Sequence, residues 1–433
     1  MNRTAFDTKQ QLDFFKNELT DNLLSFWMER CPDWEYGGYF NCFSNDGSKL
    51  VSTDKYTWSM GRFLWMFSKL ATMESDCFTD AERKKFLELA KLGRDFLYKN
   101  VLIAPNDWRC VFLMYADGSP KYVDGYKELD MSISADCFVV EGFAKYAVAA
   151  GDRESWEFAK SLYESVWERY MSGNFRSLPY PVSPQYISHA RPMILTNISV
   201  EMLLAAQVFE PEYEASLKER IAYSHKEIFE VFADENDLVH EFRYADGDFP
   251  PDMFGQHVNP GHTLEDMWFQ LRAADMIGES KYFEQATRIV KSSFRLGWDE
   301  KFGGILHFAA CDGSEGINGP LGEAKDEPQM KLVKDDWASK LWWVHSEGLY
   351  TTLLFFDRTG DPELLEMFNK LKDYTYSTFP NPDRQIREWI QIRTREGKPQ
   401  EKVVALPVKD PYHIIRNMIL IIELLQNRLK KES

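Results

Sequence analysis

The chain has 433 residues, of which 44% are hydrophobic and 27% charged, and its formal net charge is −17 at pH 7. That length allows two or three ordinary domains or one large toroid, and the composition excludes a disordered chain. A strongly acidic surface repels phosphate backbones and anionic lipid, so neither nucleic acid nor a membrane is expected as a partner.

Leu12, Phe15, Leu19, Leu23 and Phe26 recur at helical spacing, with Asp7 and Gln10 in capping-box positions before them. A β-like run over 38–43 then enters an Asp46-Gly47-Ser48 turn, and helical periodicity covers 57–73 and 81–99. A second run, 110–115, enters Asp117-Gly118-Ser119 and is followed by helices over 133–150 and 153–172. Proline-rich text (Leu178-Pro179-Tyr180-Pro181) marks the next connection, before helices over 192–208 and 211–232. The run 240–244 enters Asp246-Gly247, and helices follow over 262–277 and 280–297. The run 304–308 enters Asp312-Gly313-Ser314, with helices over 340–357 and 361–378. A last run, Glu388-Trp389-Ile390, leads to Glu396-Gly397 and a helix over 411–430. Asp-Gly between alternating apolar residues is a hairpin-turn signal, because glycine accepts positive φ. Six helix pairs at roughly 70 residues each predict an all-α chain, an (α/α)6 barrel of six helical hairpins joined by short β-hairpin connections. No linker or charge block cuts the sequence, so one domain over 1–433 is expected.

Six cysteines without a CxxC pair, no apolar leader in MNRTAFDTKQQLDFF and no uninterrupted apolar run of about 18 residues point to a cytoplasmic location without a membrane span. Aromatic residues reach 15%, which suits either a ring-filled core or a cleft that stacks rings on sugar faces.

Three segments carry the residues for proton chemistry near neutral pH. In Asn259-Pro260-Gly261-His262-Thr263-Leu264-Glu265, His262 and Glu265 share a helix face, which fits either a catalytic pair or a capping histidine with a surface glutamate. In Trp342-Trp343-Val344-His345-Ser346-Glu347, Trp343 and Glu347 share a face and His345 lies roughly opposite, so core packing is an equal reading. In Lys409-Asp410-Pro411-Tyr412-His413-Ile414-Ile415-Arg416, Pro411 suits a helix start with His413 in its first turn. Trp58 and Arg62, four apart, would let an arginine hold a sugar oxygen beside a stacking ring, or would form an inter-helix seam. No third ligand stands at metal spacing beside His262 and Glu265, and phosphate-loop, dinucleotide and serine-hydrolase motifs are absent, so no metal is expected.

Taken in order, Tyr36-Gly37-Gly38-Tyr39-Phe40, Lys55-Tyr56-x-Trp58-x-x-Gly61-Arg62-x-x-Trp65-Met66, the His262 segment through Trp268-Phe269, Lys340-Leu341 with the Trp343 segment, and Tyr412-His413-x-x-Arg416 resemble the N-acylglucosamine 2-epimerase family. The resemblance implies an (α/α)6 barrel and an isomerase of carbohydrate metabolism that inverts C2 of an amino sugar, interconverting N-acetylglucosamine and N-acetylmannosamine. It makes His262 and His413 the catalytic pair. It places Arg62, Trp58, Tyr56, Asn197, Glu265, Trp343, His345 and Glu347 around the substrate. It implies no required cofactor, ATP as a possible effector, and a homodimer. Asn197 and Pro192-Met193 resemble the N-acyl members, where disaccharide epimerases and aldose–ketose isomerases carry a third histidine. The approach Leu406-Pro407-Val408-Lys409-Asp410 departs from the family's glycine-rich text. Three alternatives stay open: an epimerase or isomerase of mannose or cellobiose, a glycoside hydrolase using carboxylates such as Asp136 and Glu141, and a sugar-binding protein without catalysis.

Overall fold

A computed structural model describes residues 6–432. Its helices in chain order are α1 (Thr8–Asn17), α2 (Ser25–Arg30), α3 (Thr57–Thr72), α4 (Asp80–Asn100), α5 (Ile133–Ala150), α6 (Arg153–Ser172), α7 (Ala190–Phe209), α8 (Glu214–Glu227), α9 (Pro260–Ile277), α10 (Phe283–Gly297), α11 (Pro328–Asp336), α12 (Trp342–Thr359), α13 (Pro362–Thr378) and α14 (Tyr412–Glu432). Helices α3, α5, α7, α9, α12 and α14 each pack on the next, and α14 returns to α3, which closes a ring. Their outer partners are α4, α6, α8, α10 and α13, with the N-terminal α1 as the outer partner of α14. The sixth hairpin of this (α/α)6 barrel is thus made from the two ends of the chain, and Thr8 Oγ1 donates to Glu432 Oε1 at 3.0 Å across it.

The inside and outside positions follow from side-chain pattern. Every residue from Trp342 to Phe356 of α12 is buried, as a helix surrounded by other helices requires. Helix α10 buries Ala286, Ile289, Val290, Ser293, Phe294 and Gly297, a single stripe that seats it on the ring from outside. Helix α7 is long and apolar enough to cross a membrane by composition, but that apolarity is used in packing between α5 and α9. Helices α3 and α5 approach to backbone contact. A Cβ on Gly61 would lie 2.4 Å from the Phe138 backbone, and one on Gly142 would lie 2.5 Å from the Gly61 carbonyl oxygen.

The turns expected at Asp-Gly form, and short antiparallel pairs both close over them and link them to the inner helices. Asp46, Asp117 and Asp312 each accept the backbone N–H of the serine two residues on, at 2.9–3.0 Å, and their glycines have φ of +74 to +87°. Short hairpins close over three of the expected turns, with Phe43 bridging Leu50, Met114 bridging Pro120 and Arg393 bridging Pro399, and further pairings join different parts of the chain. Lys55–Tyr56, entering α3, pairs with Leu113–Met114 after α4, and Tyr186–Ser188, entering α7, pairs with Phe242–Tyr244 after α8. His257–Val258 and Lys340–Leu341, entering α9 and α12, pair with Ala309–Ala310 and Ile392–Arg393 in the same way. Strands of two or three residues hold only against a neighbour that is already fixed, and the start of an inner helix is that neighbour. One mouth of the barrel is therefore stitched together at the inner-helix N-termini. Helix α11 gives no periodic signal in the sequence because its nine residues bury only Gln329, Met330, Val333 and Asp336.

Candidate active site

Two of the three histidines picked out from sequence meet at the stitched mouth. Asn259 caps α9, accepting the N–H of His262 at 3.1 Å, and Pro260 occupies the first turn. Gly261 lets α9 lie against an indole, since a Cβ there would stand 2.6 Å from the Trp343 ring. The His262 ring lies 5.3 Å from that indole, and the His413 ring, in the first turn of α14, lies 5.6 Å from it. The two imidazoles flank one tryptophan.

Each ring is held through Nδ1 by a buried carboxylate. His262 Nδ1 is 2.9 Å from Glu241 Oε2, and His413 Nδ1 is 2.7 Å from Glu347 Oε1. An ionised carboxylate only accepts, so each Nδ1 carries a proton, and Nε2 is the nitrogen left to take or give one. Among the described residues neither Nε2 has a hydrogen-bond partner. Burial opposes the charge on both carboxylates, but the groups that face them outweigh it. Arg416 and His413 hold Glu347 well below the usual range, and His262 and His189 do the same for Glu241.

Arg416 ties the His413 side together. Its Nη2 is 2.7 Å from Glu347 Oε1 and also donates to Glu265, and its Nη1 donates to the Tyr412 hydroxyl at 3.1 Å. Trp268 Nε1 donates to the second Glu347 oxygen at 2.8 Å. Glu265, Glu347 and His413 bring donor atoms within 4.8 Å of one another, a set that could hold a metal ion. The guanidinium of Arg416 lies among them and already supplies the positive charge. Burial works against that charge, but Glu347 and Glu265 reinforce it.

Arg62 stands on α3, the neighbour of α14 in the ring. Its guanidinium is paired with Asp410 and lies 4.0 Å over Phe138, 4.9 Å from Tyr412 and 5.2 Å from Trp58, while its buried Nε has no acceptor. Trp58 and Tyr56 are half-buried in a patch with Phe112, Leu113, Met131 and Leu406. Asn197 is placed a layer deeper, where its amide donates to Glu141 at 3.2 Å. Burial and nearby Glu201 raise the Glu141 carboxyl to about 7. Beneath Arg416, Glu141 and Asn197 lies a cavity of about 250 Å³, lined further by Lys69, Lys145 and Arg272 and not by either histidine.

One expected contact is overturned. His345 does not face substrate: it is wholly buried, its Nδ1 bonds Leu341 O at 2.7 Å and its Nε2 accepts the Ile305 N–H at 3.0 Å. Its ring packs on Tyr374 and Phe379, on the outer side of α12, because residue 345 is two positions from both 343 and 347 and helical spacing turns it away from them. The carboxylate pair of a hydrolase is not assembled either. Asp136 turns outward to Arg169 at 2.6 Å, whereas Glu141 turns inward to Tyr412.

Several residues of the site carry no signal in sequence. Glu241 and His189 lie in text that reads as strand or helix approach, and Asp266 in text that reads as plain helix. Asp410 and Tyr412 are flanking letters of a histidine segment. His307, edge-on to Trp343 at 6.2 Å with Nδ1 at 3.1 Å from Asp336, sits in a strand run, and burial keeps it toward the neutral form. The available clue for Glu241 is a charged residue in a β-like run with Val239 and Phe242, since such a residue needs a partner where it is buried.

A family model described as N-acylglucosamine 2-epimerase matches residues 38–417. The N-acylglucosamine 2-epimerase of Bos taurus is 29% identical over 414 residues, covering 95% of this chain and 90% of that protein. A cellobiose 2-epimerase of Ruminococcus albus is 22% identical, over 92% of this chain and 95% of its own length. In structure, cellobiose 2-epimerase from Bacillus thermoamylovorans B4167 superposes with a TM-score of 0.76 at 20% identity, covering 96% of this chain and 99% of its own.

Proposed function

Because the chain belongs to the N-acylglucosamine 2-epimerase family, we propose that it interconverts N-acetylglucosamine and N-acetylmannosamine, with His262 and His413 exchanging the C2 proton of the open-chain sugar. The observation that carries this reading is the pair of imidazoles flanking Trp343, each with Nδ1 locked on a carboxylate and Nε2 unengaged. Inversion at C2 requires the sugar ring to open, so that a C1 carbonyl acidifies the C2 hydrogen. One Nε2 takes that proton from one face, and the other imidazole, protonated at Nε2, returns one to the opposite face. The resulting charge is shared by the Glu241 or Glu347 carboxylate behind the ring that gains the proton.

The enediolate between the two transfers bears negative charge on O1 and O2. Arg62 is the fitting donor, because Asp410 fixes its orientation while its Nε remains without an acceptor in a site shielded from water. Trp343 lies between the imidazoles as a platform for the apolar face of the sugar chain. Tyr56 and Trp58 sit at the mouth beside Leu406, in the loop whose sequence departs from the family, and this is where sugar selectivity is assigned. A cytoplasmic homodimer without a required cofactor belongs to the same proposal, and sedimentation and an ATP titration of the rate test it.

Turnover of N-acetylmannosamine in D2O is expected to place deuterium at C2 of the product. Epimerisation without solvent exchange rules out the two-base scheme. His262→Ala and His413→Ala are each expected to lower kcat about 10³–10⁴-fold while the protein stays folded. Near-normal turnover in either variant removes that residue from the chemistry. NMR of the enzyme with N-acetylglucosamine, N-acetylmannosamine, mannose and cellobiose separates the N-acyl reading from the unmodified-sugar one, which the more distant cellobiose 2-epimerase supports.

A further inference from the structure

Behind Glu241 lies a third imidazole. His189 precedes α7 and is wholly buried. Its Nε2 is hydrogen-bonded to Asp266 Oδ2 at 2.8 Å, and its Nδ1 lies at ion-pair distance, 3.4 Å, from Glu241 Oε1, two buried atoms that have no other partner among the described residues. Its own N–H donates to Glu241 O at 2.9 Å, so backbone and side chain of both residues are registered together. A neutral imidazole has one N–H and can donate to only one of two carboxylates, whereas the imidazolium donates to both.

Two buried carboxylates on opposite edges of one ring therefore call for a charged ring. Without it, Glu241 and Asp266 would be two buried anions with little to offset them. Asp266 is steadied on its other oxygen by Gln270 Nε2 at 2.6 Å, which adds no charge.

We infer that His189 is a positioning residue for His262: a buried imidazolium that clamps Glu241 from behind and offsets its charge, the part that the Arg416 guanidinium plays for Glu347 and His413. This rests on His262 being one of the two proton-transfer groups. Burial works against the charge on His189, but the two facing carboxylates, Asp266 and Glu241, outweigh it and raise the ring to about 9. Few other charges reach this network. The Phe232 ring faces His189 at 5.8 Å, and Arg191 on α7 is directed to Glu227 at 3.7 Å. His257 lies near Glu241, but burial pushes it toward the neutral form and its Nδ1 bonds Met253 O.

The consequence is a specific pH signature. With His189 charged, Glu241 acts on His262 as half of a neutral pair. With the charge removed, the full anion acts on His262 and favours its protonated form, which cannot serve as a base. In His189→Gln, whose amide can still donate to Asp266, the acidic limb of kcat/KM should move up by about one pH unit. The loss would then be about tenfold at the foot of the limb and much smaller on the alkaline plateau. His189→Lys, which restores the charge, should bring the limb back toward the wild-type position. A uniform loss at every pH in both variants, with the limb unmoved, overturns the proposal.

The wild-type enzyme gives an independent reading if the variants do not fold. ¹⁵N-histidine NMR should show one ring, connected by NOEs to Phe232, that is doubly protonated at pH 8. A neutral ring there overturns the proposal. His262→Ala separates the two claims: if that variant turns over normally the proton-transfer reading falls, whereas an unmoved limb in an enzyme that needs His262 removes only the role of His189.

Discussion

Behind His413 stand Glu347 and the guanidinium of Arg416, and behind His262 stand Glu241 and the imidazole of His189. Both are histidine–carboxylate–cation stacks, and in both the carboxylate is buried and held ionised. They differ in the cation. Arg416 is charged at any pH the protein survives, is packed against Trp268, Phe269 and Tyr412, and also satisfies Glu265. His189 carries a charge that can be lost within the working range of an enzyme. The two halves of the site thus present the same face to substrate from supports of unequal permanence, and the His262 half is the one whose support responds to pH.

The sharpest way to break this comparison is at Arg416. Arg416→Met leaves Glu265 and Glu347 buried without their shared cation, and breaking a buried pair of this kind costs about 3–5 kcal/mol. Urea denaturation at pH 7.5 is expected to show a loss of that size. A loss below about 1 kcal/mol would mean that the guanidinium is not what holds the two carboxylates ionised.

The His189 half predicts a stability slope where the Arg416 half predicts none. The folded ring is raised to about 9 from an ordinary value of 6.5, so its contribution is complete below pH 6.5 and is lost as pH rises through about 9. That interval corresponds to about 3 kcal/mol. Glu241 and Glu347 have the opposite sign. Each is held below its ordinary 4.5, so each contribution is present above that value and fades as pH falls through the lowered one. Lys340, which burial lowers to about 8, titrates in the same alkaline window. The informative quantity is therefore the stability of wild type minus that of His189→Gln between pH 6.5 and 9.5. A difference that stays constant across this range removes the charged ring.

Much of this molecule is legible in its amino-acid sequence. Inner and outer helices are separable because burial all round and burial on one stripe leave different periodicities, as α12 and α10 show. The Asp-Gly turns are legible because a backbone with positive φ demands glycine. The partners of the short strands are not, because two or three residues carry no register information and their pairing is imposed by helices already in place. In the site, the segments around His262 and His413 are legible, but the carboxylates behind them arrive from other parts of the ring. Glu241 lies 21 positions from His262 and Glu347 lies 66 from His413, beyond the reach of any local spacing rule.

His345 shows how the same limit misleads. Its neighbours Trp343 and Glu347 both belong to the His413 stack, so the segment reads as one pocket motif, yet its ring fills a slot between α12 and α13 and accepts the Ile305 N–H. Burial lowers it to about 3, and a ring that stays neutral at every working pH has no proton to exchange. His345→Phe fits the aromatic slot but leaves that N–H without an acceptor, a cost of about 1–3 kcal/mol. Its kcat at 25 °C should stay within about twofold of wild type, because the lost acceptor is a matter of stability and not of transition-state binding. A large fall in kcat with unchanged stability would return His345 to the substrate side of α12, and the division of that helix into a pocket face and a packing face would have to be redrawn.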